Sequence, residues 1–348
     1  MLTRLNLWLV PSLLLFNVSA IAVAVDAPSG RSSDPPALRA GIIGLDTSHA
    51  VEFTKLLNDP KAAEDVAGVR VVAAFPGGSD IPSSRDRLPK LTAQVKDMGV
   101  ELVDSIPALL EKVDVVLLES VDGRPHVEQA RPVFKAGKPV FIDKPLAGSL
   151  ADTLAIADLG AKTKTPWFSS SALRFARDTQ AALADPKKIG AITGCDAWSP
   201  CHLESTHPDL YWYGIHGVET LYTIMGTGCE TVSRAHTDGT DLAIGVWKDG
   251  RIGTFRGIRD GKQDYGATIF GKSGIVQAGH FEGYRPLVVE IVKFFKTRLP
   301  PVRAEETIEM MTFMEAADES RRQGGAPVKL ADVLIKARGL GFHGTSQE

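Results

Sequence analysis

Lys144 stands in the stretch "VFIDKPLA", directly after a short apolar run, and Pro145 fixes the chain direction behind it. A lysine at the carboxyl end of a parallel-sheet strand points into the crevice where ligands of such folds lie. There its ammonium can hydrogen-bond a substrate hydroxyl and stabilise alkoxide character as a hydride leaves. A solvated strand-end lysine is the plainer alternative. Downstream, "CHLESTHPDLYWYGIH" packs His202, Glu204, His207 and Asp209 beside Cys201. Zinc uses such ligands, but the spacing matches no metal fingerprint and a loop lining a sugar pocket uses the same residue types, so no metal is assigned. Tyr211, Trp212 and Tyr213 suit a carbohydrate platform or simple core packing equally well.

A second chemical signal is a turn. In "RAGIIGLDTSHAVEFTKLLND" the residues Gly44, Asp46 and His49 occupy the three places of the phosphate-cradling pattern GxGxxG, and only the first is glycine. Asp46, with Thr47 and Ser48, is also a good helix cap. A carboxylate about 4 Å from a phosphate would cost on the order of 4 kcal/mol, roughly a thousandfold in affinity. The next apolar run ends in "AAFPGGSD", without the acidic residue that often holds a ribose. Gly77, Gly78 and Ser79 can accept a phosphate through backbone N–H groups, with Arg85 or Arg87 nearby, which points to NADP; an ordinary Pro-Gly turn reads equally well.

The elements that must position these residues are legible from Ala40 onward. Continuous apolar runs such as "AGIIGL", "VRVVAAF" and "VDVVLLES" alternate with amphipathic stretches such as "SHAVEFTKLLND" and "RPHVEQARPVFKAG". That alternation predicts a doubly wound Rossmann domain with a parallel sheet covered on both faces, over 37–147. After "SLADTLAIADLGAKTK" the pattern changes. "TPWFSSSALRF" is strand-like, and "DLAIGVWKDGRIGTFRGIR" and "YGATIFGKSGIVQAG" read as hairpins around Asp249-Gly250 and Lys272-Ser273-Gly274. The prediction for 148–348 is an α+β domain with a large open, mostly antiparallel sheet, one face of which serves as a homo-oligomer interface. Met310, Met311 and Met314 in the closing helical pattern read as core.

The first residues carry Arg4, an apolar run broken by Pro11, and small residues, which is the pattern of a secretory signal peptide over 1–24 rather than a membrane anchor. A Pro/Ser/Gly-rich linker follows over 25–36. The expected location is therefore periplasmic or secreted, with no stable membrane insertion after cleavage. With 39 basic and 42 acidic residues the chain is near neutral, which excludes a nucleic-acid footprint. Of three cysteines at most one pair can bridge; Cys195 and Cys201 are close in sequence, and buried free thiols fit as well.

At "AGKPVFIDKPLAGSLADT" the chain resembles the Gfo/Idh/MocA family (glucose-fructose oxidoreductase, inositol dehydrogenase and their relatives), whose segment reads A-G-K-x-V-x-x-E-K-P, with Asp143 in place of glutamate. His126 matches the histidine of the family's N-x-x-H helix, Gly123 standing at the asparagine position. "WYGIHGVETLYTIMG" is similar to its D-x-G-x-H-x-x-D segment, with Trp212 and Glu219 at the acidic places. The resemblance covers Ala37 to about Leu330. It implies an oxidoreductase passing a hydride between the CH–OH carbon of a sugar or polyol and NAD or NADP. Lys144 and His216 would be catalytic, His216 taking the hydroxyl proton, work suited to an imidazole. Gly44, Asp46, Thr47, Ser48, His49, Ser79, His126, Asp143 and Lys144 would face the cofactor, and Arg174, Trp212, Tyr213 and Glu219 the substrate, Glu219 also standing in as partner for His216. The eroded turn and the export signal keep a second reading open, in which the cofactor is tightly held or lost and the protein is a carbohydrate-binding protein, lyase or hydrolase.

Overall fold

Runs of Val, Ile and Leu with no alternating polar residue have to be buried on both faces, which only a covered parallel sheet provides. The computed structural model describes residues 36–341, so the expected signal segment and most of the linker lie outside the described residues. The first sheet contains β1 (Leu38–Ile43), β2 (Val69–Phe75), β3 (Glu101–Leu102), β4 (Val115–Leu118), β5 (Val140–Ile142) and β6 (Trp167–Ser169). All its pairings are parallel, and the order is β3-β2-β1-β4-β5-β6. Helices α1 (Ser48–Asn58), α2 (Pro82–Asp97), α3 (Ile106–Leu110), α4 (His126–Lys135) and α5 (Leu150–Thr163) make the crossovers. The strand order reverses between β1 and β4, and the carboxyl ends of β1, β4 and β5 face the crevice opened there. The sheet runs past residue 147 to β6. Only three residues of "TPWFSSSALRF" are strand; Ala172–Phe175 turn into a 3-10 helix, capped by the Ser171 hydroxyl.

The second half begins with α6 (Arg177–Ala184), α7 (Pro186–Ile189), β7 (Ile192–Pro200), α8 (Asp209–Trp212) and α9 (Ile215–Met225). It continues with β8 (Cys229–His236), β9 (Thr240–Trp247), β10 (Ile252–Ile258), β11 (Gly266–Gly271) and β12 (Ile275–Ala278). It closes with α10 (Arg285–Thr297), α11 (Ala304–Arg322), β13 (Val328–Lys329) and α12 (Leu330–Gly341). The sheet order is β12-β11-β7-β10-β9-β8-β13; β7 and β10 pair parallel and the other neighbours antiparallel, a mixed and mostly antiparallel sheet. Both expected hairpins are present. Its inner face buries Ala243, Trp247 and Phe255 against α9 and α11, with Met310, Met311 and Met314 in that core. The three cysteines are free and buried.

One late helix returns to the first sheet. Leu287, Val288, Ile291 and Phe294 of α10 share a core with Ala40, Phe53, Phe141 and Phe168. Ring contacts run Phe53–Phe141–Phe168–Phe294 at centroid separations of 6.1, 5.0 and 5.0 Å. This packing carries Tyr284, the residue before α10, to the turn before α1. Among the described residues no helix is long and apolar enough to cross a membrane.

Candidate active site

The turn after β1 needs glycine at one place. Gly44 has φ +91°, and a Cβ there would meet Ser120 N at 2.4 Å. Helix α1 then starts from Thr47, whose hydroxyl accepts from His49 N, so Thr47 and not Asp46 is the cap. Asp46 is fully buried and takes a different role. Its carboxylate accepts from Ser84 Oγ at 2.6 Å and from Val121 N at 3.0 Å, joining α2 and the loop after β4 to the turn. Held by these donors, it does not line the cavity at the sheet edge. Asp46→Ala would strand both donors, and a loss of about 2–4 kcal/mol is expected in urea unfolding.

That cavity encloses about 580 Å³. Thr47, Ser48 and His49 border it on one side, Ser83 and Arg87 extend it toward α2, and Lys144 lies in it at the end of β5. His202, Glu204, Trp212, Tyr213 and His216 come from the second half, as do Tyr265, Phe281 and Tyr284. The cavity therefore unites Lys144 and His216, the expected catalytic pair, with the first turn of α1. Leading N–H groups of a helix have no intrahelical acceptor and favour an anion, so Thr47 and Ser48, with Arg87 nearby, suit a dinucleotide's phosphates. The glycine cradle, the bound-back Asp46 and this helix start fit a dinucleotide, even though β2 ends in Phe75 and is followed by Pro76 rather than an acidic residue.

His216 is set by a partner the sequence did not reveal. Its Nδ1 lies 2.8 Å from Ser171 Oγ, the hydroxyl that caps the 3-10 helix. The tautomer with its proton on Nδ1 donates to that oxygen and leaves Nε2 as the basic atom. Burial, reinforced by the charge of Lys144, pushes the imidazole well below its ordinary value of 6.5. His216 is thus neutral at physiological pH and ready to accept a proton. The acid limb of kcat/KM against pH is therefore expected below pH 6.5. The unfolded chain binds this proton first, so the stability gained by burying neutral His216 is present above about pH 6.5 and is lost as pH falls.

Several expected contacts are corrected. Arg174 sits on the 3-10 helix, buried; its Nε donates to Glu219 at 2.7 Å and its Nη1 to Glu306 at 2.6 Å, so its guanidinium is consumed inside the protein. Glu219 accepts from Arg174, Ser170 Oγ and Ser171 N rather than from His216, which it supports only through Ser171. Burial outweighs these donors and holds Glu219 above its usual range. His126 is fully buried, with ring nitrogens 3.0 Å from Leu146 O and 2.9 Å from Ser120 O; it ties the loop behind Lys144 to the loop after β4 instead of meeting a cofactor. Ser79 and Asp143 do not line the cavity; Ser79 N donates to Ser84 Oγ, and Asp143 lies buried behind Lys144. The polar cluster after Cys201 disperses. His207 lies 3.2 Å from Asp122, Asp209 is held by Arg234, and only His202 and Glu204 reach the cavity.

The aromatic side of the cavity could not be read in advance beyond Trp212 and Tyr213. Tyr213 and Tyr265 flank His216 at 5.2 and 5.9 Å between ring centroids, and Tyr284 meets His49 at 4.6 Å. Tyr265 and Tyr284 carry no motif, and their place follows from how β11 and α10 pack. Such rings suit the C–H faces of a sugar or cyclic polyol.

Residues 38–169 match the family described as an oxidoreductase family with an NAD-binding Rossmann fold. No curated protein matches the sequence. Among solved structures, scyllo-inositol dehydrogenase from Lactobacillus casei, with bound NAD(H) and scyllo-inositol, superposes with a TM-score of 0.69 at 16% identity over 85% of this chain and 99% of that one. The myo-inositol 2-dehydrogenase of Lactobacillus plantarum gives a TM-score of 0.70 at 18% identity over 84% and 99%. At such identities the likeness is one of fold.

Proposed function

Residues 38–169 belong to the Gfo/Idh/MocA oxidoreductases with their NAD-binding Rossmann fold, and on that premise we propose that this protein is an NAD(P)-dependent oxidoreductase acting on the CH–OH group of a sugar or polyol. The observation that carries the reading is the single cavity in which Lys144 and neutral His216 meet the anion-favouring start of α1. Lys144 donates to the carbinol oxygen and stabilises its developing negative charge, while His216 Nε2 takes the hydroxyl proton. NAD(P), when bound, accepts the hydride. Trp212, Tyr213 and Tyr265 hold the apolar faces of the ring, and Glu204 offers an acceptor to its hydroxyls. The polyol captured in the Lactobacillus casei structure supports this substrate class.

Calorimetric titration of the purified chain with NAD+ and with NADP+ tests the reading, followed by turnover on a set of inositols and hexoses. Saturable binding of one dinucleotide is expected. Binding of neither, with no cofactor released on denaturation, would overturn it and leave a carbohydrate-binding protein or lyase on the same fold.

Two further features belong to the proposal. The basic, apolar and small-residue pattern of the first 24 residues supports export to the periplasm or medium. The outer face of the second sheet exposes Ile244, Val246 and Ile252, with Ile275 on β12, an apolar surface that supports homo-oligomer formation through this sheet. Light scattering on the purified protein reads that state directly.

A further inference from the structure

Three chain segments that are far apart in sequence bring ligand-type side chains together at the carboxyl edge of the first sheet. His49 comes from the first turn of α1, Glu119 from the residue after β4, and Asp143 from the residue after β5. One ligand atom from each lies within 4.8 Å of the other two. Some point is then within about 2.8 Å of all three, close to metal–ligand lengths of about 2.0–2.2 Å. Glu119 and Asp143 are 0% exposed, and His49 is 7% exposed.

Beyond one close contact, the polar atoms of this cluster lack partners. His49 Nδ1 is 2.8 Å from Asp143 Oδ2, an ion pair when the imidazole is protonated, though poorly aligned for a hydrogen bond. His49 Nδ1 and all four carboxylate oxygens of Glu119 and Asp143 have no hydrogen-bond partner. Buried polar atoms are almost always satisfied, and two adjacent carboxyl groups without donors are costly in a low-dielectric interior. Among the described residues Lys144, the adjacent cation, forms no ion pair with either acid. A positive charge between the three side chains would satisfy all of them at once.

We propose that His49, Glu119 and Asp143 bind one divalent cation of the class that accepts imidazole nitrogen and carboxylate oxygen together, namely Zn2+, Mn2+ or Fe2+. Three protein ligands leave coordination positions open, as in catalytic rather than closed structural sites. His49 is the ligand that also borders the cavity, so the open side lies toward the substrate space beside Lys144. His49 directly follows Ser48, so the site adjoins the residues that suit the phosphates, and metal binding is read on the dinucleotide-free chain.

The test uses the full purified chain, stripped with a chelator and titrated separately with Zn2+, Mn2+ and, anaerobically, Fe2+. Bound metal is counted by plasma mass spectrometry after dialysis, and affinity and melting temperature are followed in parallel. One equivalent per chain with a raised melting temperature is expected for at least one of the three ions. Glu119→Gln and His49→Gln should each weaken that binding at least a hundredfold, whereas Glu204→Gln, in the cavity but outside the cluster, should leave it unchanged. Co2+ added to the wild-type chain should give visible absorption that saturates at one equivalent, a readout that does not depend on any variant folding. No stoichiometric binding by the wild type, or binding that survives Glu119→Gln, overturns the site. So does a metal-free Glu119→Gln chain that melts higher with unaltered metal affinity, since the acids would then be sharing a proton.

Discussion

Replacing Lys144 with methionine is expected to lower kcat/KM by about a hundred- to a thousandfold, the scale seen when one preorganised donor to a developing oxyanion is removed. Methionine keeps the apolar stem of a side chain that is only 8% exposed, so the melting temperature should change little. The loss should fall on kcat more than on KM, because the ammonium does most of its work when the carbinol oxygen has gained negative charge. Lys144→Arg should not restore the rate, since a planar guanidinium cannot place one donor where the ammonium stood. A methionine variant with more than about a tenth of wild-type kcat/KM would show that Lys144 is not the oxygen's partner.

The other large effect is on stability. Arg174→Met removes the cation that two acids share: Glu219 is 1% exposed and Glu306 is 18% exposed at the side chain. Breaking a buried pair from one side leaves an uncompensated charge and typically costs about 3–5 kcal/mol. In a chain of this size that corresponds to a fall in melting temperature on the order of 10 °C. The experiment also separates two roles. A substrate-binding arginine would raise KM and leave the melting temperature alone, whereas the ion pairs seen here predict the reverse, with His216 losing its footing through Ser170, Ser171 and Glu219. The double variant Arg174→Met with Glu219→Gln should recover part of the lost stability, because neutral glutamine no longer needs the cation.

The parts of the site that sequence made legible are those fixed by local rules. Gly44 is required by a positive φ and a close approach to Ser120, and the apolar run that leads into it reads as a buried strand. Lys144 follows from its place at a strand end, and His216 from a motif shared along one helix. Asp46 shows the limit of such rules. Its position in the turn was clear, but which way its carboxylate turned was not, because the deciding donors are Ser84 and the amide of Val121, contributed by α2 and by the loop after β4. Arg174 misled for the same reason: an arginine beside a crevice looks available until Glu219 and Glu306 are seen around it.

Sequence by itself thus determined the alternating α/β order of the first half, the hairpins of the second, the glycine turn and the two catalytic candidates. The elements and the turn rest on periodicity or on the conformational limits of one or two neighbouring residues, which the chain carries in its local order, and the catalytic candidates on the family resemblance of their motifs. Only the tertiary structure decided which charges are consumed in pairs, which histidine is held neutral, and that α10 returns Tyr284 to the mouth of the first sheet. It alone also set His49, Glu119 and Asp143 face to face. Those outcomes depend on burial and on partners from distant segments, and a side chain's charge state and availability are properties of that shared surrounding rather than of its own residue type.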